Sequence, residues 1–380
     1  MNAKSQEELL EEIKEYATKM TRVQKYFLVY LDKDTNIRSN FQNLYYSIKF
    51  QKILVDEHKM REFLYLVSEI SSNHYRTPSF FSKIEEILKK ISKEITKIIS
   101  SEDIFNIFCN NYRILLFLFK EKIIQPNINL ITRLLNINDS EEIRKCFNIK
   151  NNPKLSREKN DEISINEAVI TSEIPKYGEN NDEICQIIRN DSIDDFLSKK
   201  VNINLTFEPS IYETNEFLKD KTPSIIEYSA FYGSLKIFKY ACSNNAELTN
   251  SLWIYAIHGR NMKIIQELEN LNIDPPYRSF EDSALQLIKC HHNELTDFII
   301  NQRLNNEFQY PDDQKLSELH LLLKSFEAYN FEFISQRFGI DFDSNKNEIF
   351  PEICKFDYFY IIQNILAIQD IDINAQTIFI

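Results

Sequence analysis

Four glycines serve all 380 residues: Gly178, Gly233, Gly259 and Gly339. That scarcity constrains the fold more than any other feature. Sheet-rich folds with many tight turns draw on glycine for positive φ. A phosphate-cradling loop needs several glycines within a few residues. Neither fits this chain, which points instead to helices joined by Asn- and Asp-rich turns. Hydrophobic residues make up 43%, enough apolar surface to bury real cores, so wholesale disorder is excluded.

Two of the four glycines stand in near-copies of one phrase. Residues 228–240 read YSAFYGSLKIFKY and residues 255–265 read YAIHGRNMKII. Tyr228 to Tyr255 is 27 positions, and Ile237 to Ile264 is also 27. The phrase describes a short helix, a turn, and an aliphatic pair that opens a second helix. Weaker copies begin at Ile184, Ala284, Tyr329 and Pro351, which makes six. Short turn phrases follow, among them Asn245-Ala-Glu247, Asn272-Ile-Asp274 and Asp370-Ile-Asp-Ile-Asn374. A unit of two short helices cannot bury its apolar face alone, whereas stacked units share a continuous core. The glycines break the register by one, since Gly233 to Gly259 is 26. Either the turn shifts by a residue, or Asn261 takes the left-handed conformation that Asn tolerates.

The first third reads as amphipathic helices. Ser5 and Glu8 form a capping box. From there Leu9, Ile13, Tyr16, Met20, Val23, Phe27 and Tyr30 recur at spacings of three and four. Further helices are expected around Phe41–Leu54, Phe63–Ile70 and 79–100, then one capped by Ser101. No sustained strand alternation occurs in residues 1–140. Residues 150–181 hold Pro153, Pro175, Gly178 and dense polar residues, the pattern of a linker.

The repeated phrase resembles the ankyrin repeat, whose motif opens Thr-Pro-Leu-His-x-Ala. Thr222-Pro223 with Ser229-Ala230, Gly233, Ile237 and Phe238 carries the best match. Asp370-Ile-Asp-Ile-Asn374 is similar to the Ala-Asp-Val-Asn hairpin phrase. More closely, the chain resembles the large protist (trichomonad-type) ankyrin family, in which a helical region precedes divergent repeats. Ile70-Ser-Ser-Asn-His-Tyr-Arg76, Ser251-Leu-Trp-Ile-Tyr-Ala-Ile-His-Gly259 and Cys290-His-His-Asn293 bear that likeness. The repeat spacing is uneven, and most copies lack the Thr-Pro opening. The expected architecture is all-α: an N-terminal helical domain at 1–149, a linker or bridging segment at 150–181, and about six divergent ankyrin-like repeats at 182–380, stacked as helical hairpins in a solenoid.

The resemblance implies a non-enzymatic scaffold that binds another protein through a concave face. Positions before the interhelical turns give Phe231, Tyr232, His258 and His291 as partner-binding residues, and the following loop adds Tyr277 and Arg278. Aromatic and Arg side chains of this kind suit interface anchors. The alternative is an adaptor, in which the repeats select a target and the N-terminal domain recruits signalling or degradation machinery through the helix at 79–100. An enzyme would have to be built around His74 or the Cys290–His292 cluster. Adjacent ligands on one helix diverge, so that cluster lacks the convergence zinc needs, and neither metal nor cofactor is expected.

Bulk properties narrow the partners. The net charge is −12, which disfavours nucleic acid. The Lys89–Lys97 run carries Glu85, Glu86 and Glu94 among its lysines, the pattern of a solvated helix face. No apolar run approaches the ~20 residues that span a bilayer, and the charged N-terminus is not a secretory signal. Six scattered cysteines without a Cys-x-x-Cys pair suit a reducing compartment. The expectation is an intracellular, cytoplasmic protein with a protein partner, no membrane contact and no small-molecule substrate.

Overall fold

Periodicity becomes helix nearly throughout. The computed structural model describes residues 4–147, 179–302, 318–340, 342–368 and 370–375. Among these there are twenty-two α-helices and no strand, so the chain is all-α. The expected linker at 150–181 lies, up to residue 178, outside the described residues.

Nine helices form the N-terminal block: α1 (Gln6–Asp32), α2 (Ile37–Phe50), α3 (Glu57–Asn73), α4 (Phe80–Lys90), α5 (Ser92–Ile98), α6 (Ser101–Phe108), α7 (Tyr112–Lys120), α8 (Ile128–Ile137) and α9 (Glu141–Cys146). The Ser5–Glu8 capping box is present with both of its bonds. The cap of α6 is Ser100, whose side chain accepts from the Asp103 N–H, and not Ser101. The helix expected at 79–100 is two helices, which part at Ile91.

Six helix pairs follow: α10 (Glu183–Arg189) with α11 (Ile193–Ser198), α13 (Ile225–Phe231) with α14 (Leu235–Ser243), α15 (Leu252–Gly259) with α16 (Met262–Asn270), α17 (Glu281–Lys289) with α18 (Asn293–Gln302), α19 (Glu318–Glu327) with α20 (Phe331–Arg337), and α21 (Phe342–Cys354) with α22 (Phe359–Leu366). The short α12 (Glu216–Lys219) sits between the first two pairs. The first helices α10, α13, α15, α17, α19 and α21 touch in sequence, and so do the second helices α11, α14 and α16. The only bridge between extended segments among the described residues joins Thr206 to Ser224.

Backbone conformation repeats more faithfully than sequence does. The turn inside each of the first five pairs holds one left-handed residue: Asp191, Gly233, Arg260, His291 and Tyr329, with φ of 48°, 67°, 49°, 58° and 52°. The turn leaving a pair holds another: Lys200, Asn245, Asn272, Gly339 and Asp370. Only two of these ten are glycine. A non-glycine residue there costs ~1–2 kcal/mol, which the chain offsets with capping bonds. Ser192, Ser234, His292 and Asn330 each return their N–H to a carbonyl five residues back. Side chains then tie turn to turn. Ser234 Oγ donates to Ile188 O (2.6 Å), Asn261 Nδ2 to Gly233 O (2.8 Å) and Asn330 Nδ2 to Ile288 O (2.9 Å).

This resolves the one-residue slip between the glycines. Neither anticipated solution occurs. Arg260 itself, in register with Gly233, is left-handed, and Asn261 is the N-cap of α16 with φ −97°. Gly259 lies inside α15 and serves a different purpose. A Cβ there would fall 2.1 Å from Ala230 O, so glycine lets α13 and α15 approach. Gly259→Ala should therefore cost about 1–3 kcal/mol, the range for overpacking a tight contact. A denaturant titration that shows Gly259→Ala as stable as the parent would remove this reading.

Packing crosses the boundary that composition places between the N-terminal block and the repeats. Leu322, Phe326, Phe331, Ile334, Tyr358 and Ile361 belong to the same continuous core as α1 and α3. A second core fills the pairs from Cys185 to Ile299.

Candidate partner-binding site

The six residues expected to bind a partner separate into two groups. Phe231, His258 and His291 are buried, and Tyr232 is half-buried. Tyr277 is 92% exposed, and the Arg278 side chain is 87% exposed. The expectation that the first four present themselves to a partner fails: the N-terminal block covers Phe231, His258 and His291, and Tyr232 packs on Tyr228 and Arg189 with its hydroxyl toward Glu213.

The covering follows the edge formed by the interhelical turns. Helix α3 and the segment after it run along that edge, antiparallel to the order of the pairs. Arg61 approaches Asp357 of the last pair at 3.8 Å. The Tyr65 ring stacks on Tyr329 of the fifth pair at 4.9 Å. His74 Nδ1 meets Cys290 O of the fourth pair at 2.7 Å, and its Nε2 meets Asp32 Oδ1 at 2.8 Å. Asp32 in turn receives Arg260 of the third pair at 2.8 Å. Arg76 stands over the Phe231 ring of the second pair at 5.5 Å and donates to Thr214. Helix α1 adds Gln24, which donates to Asn330 at 2.9 Å. Every pair from the second to the sixth is thus held by at least one residue of the N-terminal block.

Four of the six histidines gather under this cover. The His74 and His292 rings lie 4.9 Å apart. His258 Nδ1 is 3.1 Å from Cys290 Sγ. Burial pushes His258 and His291 down to about 3 and holds His292 well below its ordinary value. Burial pushes the Cys290 thiol up. The proton therefore stays on sulfur, the opposite of the thiolate–imidazolium pair that nucleophilic catalysis needs. No group of three His, Cys, Asp or Glu side chains converges on a metal position among the described residues. Both ring nitrogens of His292 lack a hydrogen-bond partner, a cost this junction carries.

The opposite edge is open. A groove of about 700 Å³ lies between Phe217, Lys221, Thr222, Glu227, Asn250, Ser251, Ile254, Tyr255, Pro276, Tyr277, Asp282 and Gln286. Its polar wall is built by caps. Glu227 closes the capping box of α13 with Ser224 and accepts from Ser251 Oγ at 2.5 Å. Its apolar wall is Phe217, Ile254, Tyr255 and Pro276. Tyr277 and Arg278 stand at the rim on two successive left-handed residues, φ 54° and 57°. That conformation is uncommon for bulky residues, and it holds the Tyr277 ring out in solvent.

Phe217, Ile254 and Tyr255 were not among the expected site residues. Helix α15, Leu252–Gly259, is apolar on every side and buried throughout. Such a helix carries no periodicity to mark which face meets a groove. The Pro275-Pro276 pair beside Tyr277 was the available signal, since two prolines fix a projecting turn.

No described helix is long and apolar enough to cross a membrane. Comparisons with protein-family models, curated proteins and solved structures found no match.

Proposed function

We propose that this chain is a non-enzymatic protein-interaction scaffold: a divergent ankyrin-type solenoid that receives a partner protein in the groove around Tyr277. The observation that carries the reading is the fully projected Tyr277 ring above a preformed, aromatic-walled groove. Surface tyrosines of this kind supply large contact area at low entropic cost. Six stacked helix pairs with left-handed residues at matching turns support the solenoid. The turn edge serves the N-terminal block, so the partner takes the edge that block leaves free.

A photo-reactive phenylalanine analogue at position 277 tests this in cells. A discrete crosslinked partner is expected. It should weaken by about tenfold or more when Tyr255 and Phe217 are both changed to Ala, the loss typical of removing groove anchors. Labelling no different from that of the same analogue at exposed Glu15 would sink the proposal.

A further inference from the structure

A second groove lies outside the repeats, between α1 and α2, and its chemistry differs from that of the chain as a whole. Asp and Glu make up 57 of 380 residues, yet residues 35–55 contain none. An even spread would place about three there. The outward face of α2 carries Asn43, Tyr46 and Phe50, at i, i+3 and i+7, with the buried Ser47 at the floor of the groove they border. Arg22 and Tyr26 of α1 face it at i, i+4. Tyr26, Tyr46 and Phe50 line one depression of about 570 Å³ together with Arg22 and Lys49, and no carboxylate lines it. Tyr46 is 66% exposed and Phe50 77%. The opposite face of α2 buries Leu44 and Ile48, so these aromatics have no structural role in the core. Arg22 and Lys49 are exposed, and among the described residues neither forms an ion pair. Lys49 and Lys90 instead stand over the Tyr45 ring at 4.7 and 5.3 Å.

Exposed aromatics flanked by exposed cations on an acidic protein mark an interaction surface. We propose that the α1–α2 groove binds an acidic segment of another protein, an amphipathic helix whose apolar side chains enter between Tyr26, Tyr46 and Phe50 while its carboxylates meet Arg22 and Lys49. A crease between two helices is the shape that receives a third. Charge complementarity selects an acidic occupant. Two lining cations match the few carboxylates of a short acidic peptide, whereas a nucleic-acid polyanion, charged at every phosphate, meets far stronger repulsion from a chain of net charge −12. This surface is independent of the Tyr277 groove.

The test is a displayed library of random 16-residue peptides, selected on the full chain and counter-selected on Arg22→Glu/Lys49→Glu. Both sites are exposed, and circular dichroism checks the fold. Recovered peptides are expected to be net negative with apolar residues three and four apart. They should lose at least about tenfold in affinity on the charge-reversed variant and weaken as salt rises. Tyr46→Ser/Phe50→Ser should abolish binding with the charges intact. Peptides without acidic bias, or equal retention by the charge-reversed variant, would overturn the proposal. So would oligo-dT or phosphatidylserine vesicles binding through Arg22 and Lys49 while no peptide does.

Discussion

A fragment beginning at residue 179 should lose its last two helix pairs while it keeps the second and third. Leu322, Phe326, Phe331, Ile334, Phe338, Ile361 and Ile365 are buried in a core whose other side is α1 and its neighbours. Helix α1 packs along α20 and α22. Removing residues 1–147 exposes those side chains, each worth about 1.5–3 kcal/mol when fully buried. The sum, about 10–21 kcal/mol, is as large as the 5–15 kcal/mol that holds a whole domain. The pairs from α13 to α16 retain their own core around Ile226, Phe238, Trp253, Ile264 and Leu268. Amide hydrogen exchange reads the outcome region by region. Fast exchange is expected from 318 to 366, with protection remaining across 225–268. Native protection through Tyr358 in the fragment would show that the repeats stand alone. The adaptor reading requires such independence, so the same experiment bears on it.

Stability should hold roughly level from pH 6.5 to 4.5 and then fall steeply. Two sets of buried groups set the shape. His258, His291 and His292 are held neutral, well below their ordinary value of 6.5. On acidification the unfolded chain takes up those protons first, so stability drops. Three carboxyls, two buried and one half-buried, act in the opposite direction. Burial pushes Glu69 and Glu179 up to about 7 and raises Glu62 well above 4.5. The folded chain binds those protons first, so stability rises between pH 7 and 4.5. The two sets offset each other in that window. Below 4.5 the carboxyls are protonated in both states and the histidines act unopposed. The slope then approaches about 4 kcal/mol per pH unit, one proton each for three groups. Asp32, held below its ordinary value by His74 and Arg260 against the effect of burial, adds to the fall. Glu179→Gln removes one counterweight, and its stability should decline from pH 6.5 by ~1.4 kcal/mol per unit. Denaturant midpoints across this range decide the matter. A parent chain that weakens steeply between pH 6.5 and 5 would refute the balance.

What the sequence disclosed and what it hid follow from the same physics. The helices were legible because one buried face imposes a period of 3.6, as Leu9, Ile13 and Met20 show on α1. The pairs were legible because their turns share a phrase around Gly233 and Arg260. The docking of the N-terminal block was hidden. Its contacts join residues hundreds of positions apart, such as Gln24 with Asn330, through polar side chains. Helix α1 buries a second face of Ala17, Thr21 and Gln24 that reads as surface in a one-stripe pattern. Burial by distant segments also misplaced four site residues. Phe231, Tyr232, His258 and His291 precede or occupy turns, and a turn looks free until something far away lies on it. Tyr277 and Arg278 kept their exposure because their projecting turn is on the other edge.

Helix α3 and its extension make the repeats stiffer than their connectivity alone allows. From Arg61 to Asn73 the helix spans about 18 Å, and with Arg76 it reaches from the sixth pair to the second. A stack of helix pairs joined only to nearest neighbours bends like a spring. A splint fastened at four points, with Asp32 of α1 adding a fifth on the third pair, fixes its curvature, and with it the width of the groove on the far edge. Under the proposed function, a partner entering there would meet a surface already set, and little of the binding energy would go into straightening or coiling the array. Loosening one rivet, Tyr65 on Tyr329 for example, would then be felt at Tyr277 as a change in groove width, with no contact between the two.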